Sequence, residues 1–131
     1  MILLDTHVLV WVVGDEGRLS RAAASAIRRA RASDGLAIAD IVIYELAVLV
    51  VRGLIRTQYT VAKTVDTLVF RSGVIVKPIT AEIAAIASQF SGDYPKDPAD
   101  RLIGATALAE GMPLVTRDER IRQSSLVKTV W

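Results

Sequence analysis

Apolar positions along the chain fall into two kinds of block that alternate. Ile2 to Asp5, Leu36 to Ala39, Val74 to Lys77, Met112 to Thr116 and Leu126 to Val130 are short and mostly apolar without strict alternation. That is the pattern of strands buried on both faces. Between them lie segments with helical spacing. A short helix is expected around Val8 to Val13, followed by a loop through Gly14 and Gly17. Ser20 can cap a helix from Arg21 to about Ala32, which the turn Ser33-Asp34-Gly35 ends. Asp40 is expected to cap the apolar helix Ile41 to Arg52, with Gly53 at its end. A further helix from about Thr60 to Arg71 carries Val61, Val65, Leu68 and Val69 on one face and stops before Gly73. Thr80 starts a helix through Gln89. After the polar loop Ser91 to Pro98, Pro98 opens the helix that reaches Glu110 and is stopped by Gly111. Asp118 to Arg122 reads as a brief helical turn. Strands alternating with helices predict an α/β fold of three layers, a short parallel sheet of four to five strands with helices on both faces. No repeat or linker divides the sequence, so residues 1–131 are expected to form a single domain.

Composition narrows the chemistry. There is no cysteine and a single histidine, which excludes a disulfide framework, a zinc ribbon and a thiol nucleophile and leaves only oxygen ligands for a metal. Mean hydropathy is +0.40, yet the longest apolar stretch, Ile41 to Val51, is interrupted by Glu45 and too short to span a bilayer. The N-terminus carries Asp5 inside its apolar run and has no basic region ahead of it, so it does not read as a signal peptide and a cytoplasmic location is expected. Hydrophobic residues make up 52% of the chain and aromatic ones 5%, more aliphatic surface than a small monomer normally hides, which points to a partner surface. The net charge is +2, but Arg18, Arg21, Arg28, Arg29 and Arg31 form a run without an acid. Such a run suits a phosphate backbone or an acidic partner, or equally the solvated side of an amphipathic helix.

Ligands of parallel α/β sheets sit beyond the carboxyl ends of the strands, and acids fall there. Asp5 closes the first strand, Asp40 the second, and Asp118 lies two residues beyond the strand ending at Thr116. Glu45 is the one charge in an otherwise apolar helix. Helices apolar on all sides are buried, and a buried carboxylate needs a cation or strong donors; the alternatives are an arginine from elsewhere or a place facing water. In the run Asp97-Pro98-Ala99-Asp100, Asp97 is the better cap and Asp100, one turn inside, the better ligand. Four carboxylates, Asp5, Glu45, Asp100 and Asp118, without His or Cys constitute a site for a hard divalent cation, Mg²⁺ or Mn²⁺. Such a site binds phosphate, polarises the scissile group and acidifies a water, which is phosphodiester hydrolysis.

Leu3-Leu4-Asp5-Thr6-His7, Tyr44-Glu45-Leu46-Ala47, Asp97-Pro98-Ala99-Asp100-Arg101-Leu102-Ile103 and Leu114-Val115-Thr116-Arg117-Asp118, in that order, resemble a PIN domain and, more narrowly, the VapC-type toxins of toxin–antitoxin pairs. The resemblance covers essentially the whole chain. It implies a Mg²⁺-dependent endoribonuclease with Asp5, Glu45, Asp100 and Asp118 as its acidic cluster, an RNA substrate, a homodimeric state and a cognate antitoxin. Thr6 and Thr116 match polar positions that order the cluster in that family. Asp40 stands where the family often has Ser or Thr, and Ile121 where it often has an aromatic residue. His7 adjoins Asp5 but suits a backbone hydrogen bond better than a general base, since a metal-bound water needs none. Trp11 is expected in the core or a dimer face, and Arg101 and Arg117 could hold phosphate or balance the acids. A haloacid-dehalogenase-type phosphatase would need an aspartate where His7 stands. A receiver domain lacks its phospho-accepting Asp ahead of Lys77. A PIN-like fold without catalysis, binding RNA or protein, is the alternative.

Overall fold

The computed structural model describes Met1 to Trp131. Strands β1 (Ile2–Leu4), β2 (Leu36–Ala39), β3 (Ile75–Lys77), β4 (Leu114–Val115) and β5 (Thr129–Val130) form one parallel sheet in the order β3-β2-β1-β4-β5. The connections hold helices α1 (Thr6–Gly14), α2 (Arg21–Arg31), α3 (Ile41–Val51), α4 (Val61–Ser72), α5 (Ala81–Ser88), α6 (Pro98–Glu110) and α7 (Glu119–Gln123). Every residue of β1, β2 and β4 is buried. Successive strand side chains point to opposite faces, so burial without alternation means that both faces are covered, the layered α/β arrangement the sequence predicts. At one edge β3 departs from this pattern, with Ile75 and Val76 exposed.

Local capping follows the sequence at most ends. The Ser20, Thr60, Thr80 and Asp97 side chains accept from the N–H of Ala23, Lys63, Ile83 and Asp100 at 3.0, 3.1, 3.2 and 3.1 Å. Gly73 and Gly111 close α4 and α6 with positive φ of 68° and 65°, a conformation that a Cβ disfavours. Helix α1 begins at Thr6 rather than Val8, because the Asp5 carboxylate accepts the Thr6 N–H at 2.9 Å and starts the helix directly after β1.

Two expectations are corrected. Asp40 does not cap α3: its backbone is already helical, and its Oδ2 instead accepts the Ile79 N–H at 3.0 Å, tying the start of α3 to the segment after β3, while Oδ1 is buried without a partner. Nor is α3 buried all round. Val42 and Leu46 alone are buried, a one-turn stripe, and Tyr44 and Val51 are 66% and 75% exposed. The helix packs against α4 and α6 and also touches α1 and β2 at the rim of the sheet, which leaves Ile43, Tyr44 and Val51 exposed on its outer side. No helix is long and apolar enough to cross a membrane.

The order of strands creates the site. From β1 the chain steps to β2 and β3 on one side, then returns to place β4 and β5 on the other. Connections diverge from such a switch point, leaving a crevice at the carboxyl ends of the central strands.

Candidate active site

A cleft of about 1090 Å³ opens at that crevice, and Asp5, Glu45, Asp100 and Asp118 all line it, with Asp97 beside them. Residues up to 113 positions apart in sequence meet because β1 and β4 are neighbours and because α3 and α6 lean together over their ends. Asp40, although it closes β2, lies outside this cleft.

The acids are held in place by two threonines. Asp5 accepts from the Thr6 N–H through Oδ1 and from the Thr116 hydroxyl through Oδ2 at 2.6 Å. Glu45 Oε1 accepts from the Thr6 hydroxyl at 2.5 Å. Thr6 thus spans Asp5 and Glu45 through its amide and its hydroxyl, and both threonines are buried, at 3% and 0% exposure. Glu45 has no arginine partner and does not simply face water; it is half-buried over the cleft.

Asp100 sits in the first turn of α6, whose start Asp97 caps. Its carbonyl accepts from the hydroxyl of the buried Tyr94 at 3.0 Å, while its carboxylate is left free for the cleft. Tyr94 packs edge-on to Phe90 with ring centroids 4.6 Å apart, and both lie against Gly104, where a Cβ would collide with the Tyr94 ring. Asp118 caps α7: its Oδ1 accepts from the N–H of Arg120 and Ile121 at 2.8 and 3.2 Å, and its own N–H donates to Thr116 at 3.1 Å. Capping and facing the cleft therefore coexist in Asp118. Ile121, in place of an aromatic residue, is fully buried beneath it.

Electrostatics reinforces the grouping. Burial raises the proton affinity of Asp5 above the usual carboxylate range, against the lowering effect of Thr116, Thr6 and His7. Glu45 is raised by burial too, with Asp5 and Asp97 adding repulsion and the Thr6 hydroxyl opposing it. Asp100 is pushed up to about 7 by burial and then by the negative charges of Asp5, Asp97, Glu45 and Asp118. Burial, followed by the charges of Asp100, Asp5 and Asp118, also raises Tyr94. Asp118 has Arg120 at 3.4 Å, but Asp5, Glu45 and Asp100 enter no ion pair. No three of the acids come together closely enough to form a ready ion cage.

The other sequence candidates separate. Arg101 neither balances the acids nor reaches the cleft: its guanidinium donates to the carbonyls of Pro95 and Phe90 at 3.1 and 3.2 Å and fastens the preceding loop. Arg117 is exposed at the cleft, with its guanidinium 6.0 Å from the centre of the Trp11 ring. His7 is exposed, lines the cleft and tilts against Trp11 at 6.0 Å. Sequence reasoning missed Trp131, which also lines the cleft, 5.8 Å from Trp11 between ring centroids. Its signal lies in strand register, not in a motif.

An acid-lined crevice at the switch point of a short parallel sheet defines a PIN domain, and the chain belongs to the PIN-domain family, whose model matches residues 2–125. Among named relatives, it is 40% identical to Ribonuclease VapC22 of Mycobacterium tuberculosis over 132 aligned positions, covering 99% of this chain and 98% of that protein. Solved structures share the fold. VapBC2 from Rickettsia felis, bound to a DNA fragment from its promoter, matches with a TM-score of 0.67 and 18% identity over 98% of this chain and 97% of that one. VapBC-5 from Mycobacterium tuberculosis, a member of the VapBC family of toxin–antitoxin systems, gives 0.63 and 18% over 98% and 95%.

Proposed function

We propose that this protein is a divalent-cation-dependent endoribonuclease, the toxin of a toxin–antitoxin pair, that hydrolyses RNA phosphodiester bonds at the cleft formed by Asp5, Glu45, Asp100 and Asp118. The observation that carries this reading is the grouping of the acids: partly buried carboxylates with raised proton affinity line one cleft, and three of them enter no ion pair. Structural acids are normally paired. An oxygen-only donor set of this kind fits Mg²⁺ or Mn²⁺, which keeps several of its own waters and so tolerates carboxylates that do not close into a cage. The name of the 40% identical relative agrees with RNA as substrate, and the VapBC neighbours support a cognate antitoxin as partner.

In this reading Asp5, Glu45, Asp100 and Asp118 would hold the cation, which would supply Lewis-acid chemistry at the cleft. Thr6 and Thr116 orient two of these ligands: the Thr6 hydroxyl donates to one oxygen of Glu45, and the Thr6 N–H and the Thr116 hydroxyl donate to the two oxygens of Asp5. Tyr94 and Asp97 fix the backbone from which Asp100 projects. The exposed apolar side chains of α3, α4 and β3 supply a surface for a homodimer.

Single Asn or Gln substitutions at Asp5, Glu45, Asp100 and Asp118 should each abolish Mg²⁺- or Mn²⁺-dependent cleavage of single-stranded RNA, with circular dichroism unchanged, and the wild type should be silent in EDTA. Asp97→Asn should retain activity, because an Asn side chain caps a helix almost as well. Cleavage that survives EDTA, or that persists in Asp100→Asn and is lost in Asp97→Asn, overturns the assignment of the cation site.

A further inference from the structure

The two tryptophans of the chain meet in one corner of the cleft. Trp11, on α1, is 8% exposed, with the guanidinium groups of Arg18 and Arg117 at 5.9 and 6.0 Å from its ring centre. Trp131 is brought there by register: β5 runs parallel to β4, pairing Val130 with Val115, and the Thr116 N–H donates to the Val130 carbonyl at 3.3 Å. The residue after Val130 is thereby carried to the same sheet edge as Arg117 and Asp118. Its ring leans on Trp11 at 52° yet stays partly exposed to the cleft that the four acids line. A tryptophan serving the core alone would be covered, as Trp11 is.

A cleft of carboxylates repels a polyanion, so a strand of RNA needs other contacts to hold its register there. Aromatic faces supply them by stacking on a base, with a cation alongside for the phosphate. We propose that Trp131, supported from behind by Trp11 and flanked by Arg117, is a stacking subsite for one nucleobase next to the scissile phosphate. The inference rests on the ribonuclease reading and makes Trp131 a determinant of how the strand is positioned.

Two measurements test it. In the non-cleaving Asp100→Asn background, a single-stranded RNA oligonucleotide should quench tryptophan fluorescence, the quench should persist in Trp11→Phe and vanish in Trp131→Phe, and Trp131→Ala should weaken binding by about tenfold. In the cleaving enzyme, substrates made abasic one position at a time should reveal a single position beside the cut where kcat/KM falls about tenfold. There the penalty should disappear in Trp131→Ala, while Trp131→Phe retains most of the activity on intact RNA. If Trp131→Ala and the abasic position reduce kcat/KM independently, or if the quench survives in Trp131→Phe, Trp131 is only a packing residue and the subsite is wrong. If the wild type quenches and binds RNA but cuts none with either metal, the ribonuclease reading fails while the stacking site stands.

Discussion

Thr6 shows how much depends on single atoms in this cleft. Its N–H goes to Asp5 and its hydroxyl to Glu45, so one residue sets two of the four acids. Thr6→Val keeps the N–H and the shape but removes the hydroxyl, and cleavage should fall about 10- to 100-fold, the usual cost of losing a partner behind a metal ligand. Thr6→Ser should restore it. Equal loss in both variants, measured by kcat/KM with the melting temperature unchanged, would count against this role. Asp100 gives a prediction in pH. Its proton affinity is raised in the fold, to about 7 from an ordinary 3.8, so between those values the native state binds more protons than the unfolded one. Stability contributed by the protonated group is full below about pH 4 and is lost as pH rises through about 7. Without divalent cation, Asp100→Asn should therefore melt with the wild type at about pH 4 and above it at about pH 8. Mg²⁺ at about ten times its Kd should add about 1.4 kcal/mol to the wild type at about pH 8, about 5 °C in Tm for a domain of this size, and less to the variant. Identical pH profiles for the two proteins would contradict a crowded Asp100.

At the level of elements, α6 is the piece on which the site depends most. Its start is capped by Asp97, preset by Pro98 at its first position and braced by Tyr94, and Gly104 one turn further on leaves the space that the Tyr94 ring occupies. Gly104→Ala should cost about 1–3 kcal/mol through overpacking, seen as a lower Tm in a thermal melt. Tyr94→Phe removes the hydroxyl that meets the new methyl, so the two substitutions should couple rather than add in a double-mutant cycle. Additivity would mean that the Tyr94 hydroxyl is not what fills that space. Helix α3 works differently: Val42 and Leu46 are buried, Ile41, Ala47 and Val50 pack against the core, and Ile43, Tyr44 and Val51 are turned outward.

For the molecule as a whole, the outward apolar surface is the feature that a monomer does not explain. Phe70 is 85% exposed, Val51 75% and Ile75, on the edge strand, 49%, and a parallel edge strand with apolar side chains readily takes up a partner. Sedimentation should show a two-fold dimer, the commonest closed assembly, and Phe70→Glu should convert it to a species of 14.2 kDa with little change in Tm, because so exposed a ring contributes little to the protomer. A wild type that sediments at the protomer mass at micromolar concentration would refute the dimer.

The sequence alone determined the succession of strands and helices, most of the caps and four of the acids that line the cleft, because those signals are local: apolar period, a Ser, Thr or Asp ahead of a helix, proline at its first position, an acid at a strand end. Asp97 as cap beside Asp100 as cleft residue was legible in one short run around Pro98. Tertiary structure decided what depends on register and on neighbours distant in the chain. It turned Asp40 away to Ile79, spent Arg101 on the backbone carbonyls of its own loop, and left α3 at the rim instead of inside. Helical periodicity reports that a helix is apolar, whereas what covers it depends on where the sheet ends. Trp131 was invisible for the same reason. Only the pairing of β5 with β4 carries it to the edge where Asp5 and Asp118 stand, and strand pairing is a contact between segments that no window of sequence contains.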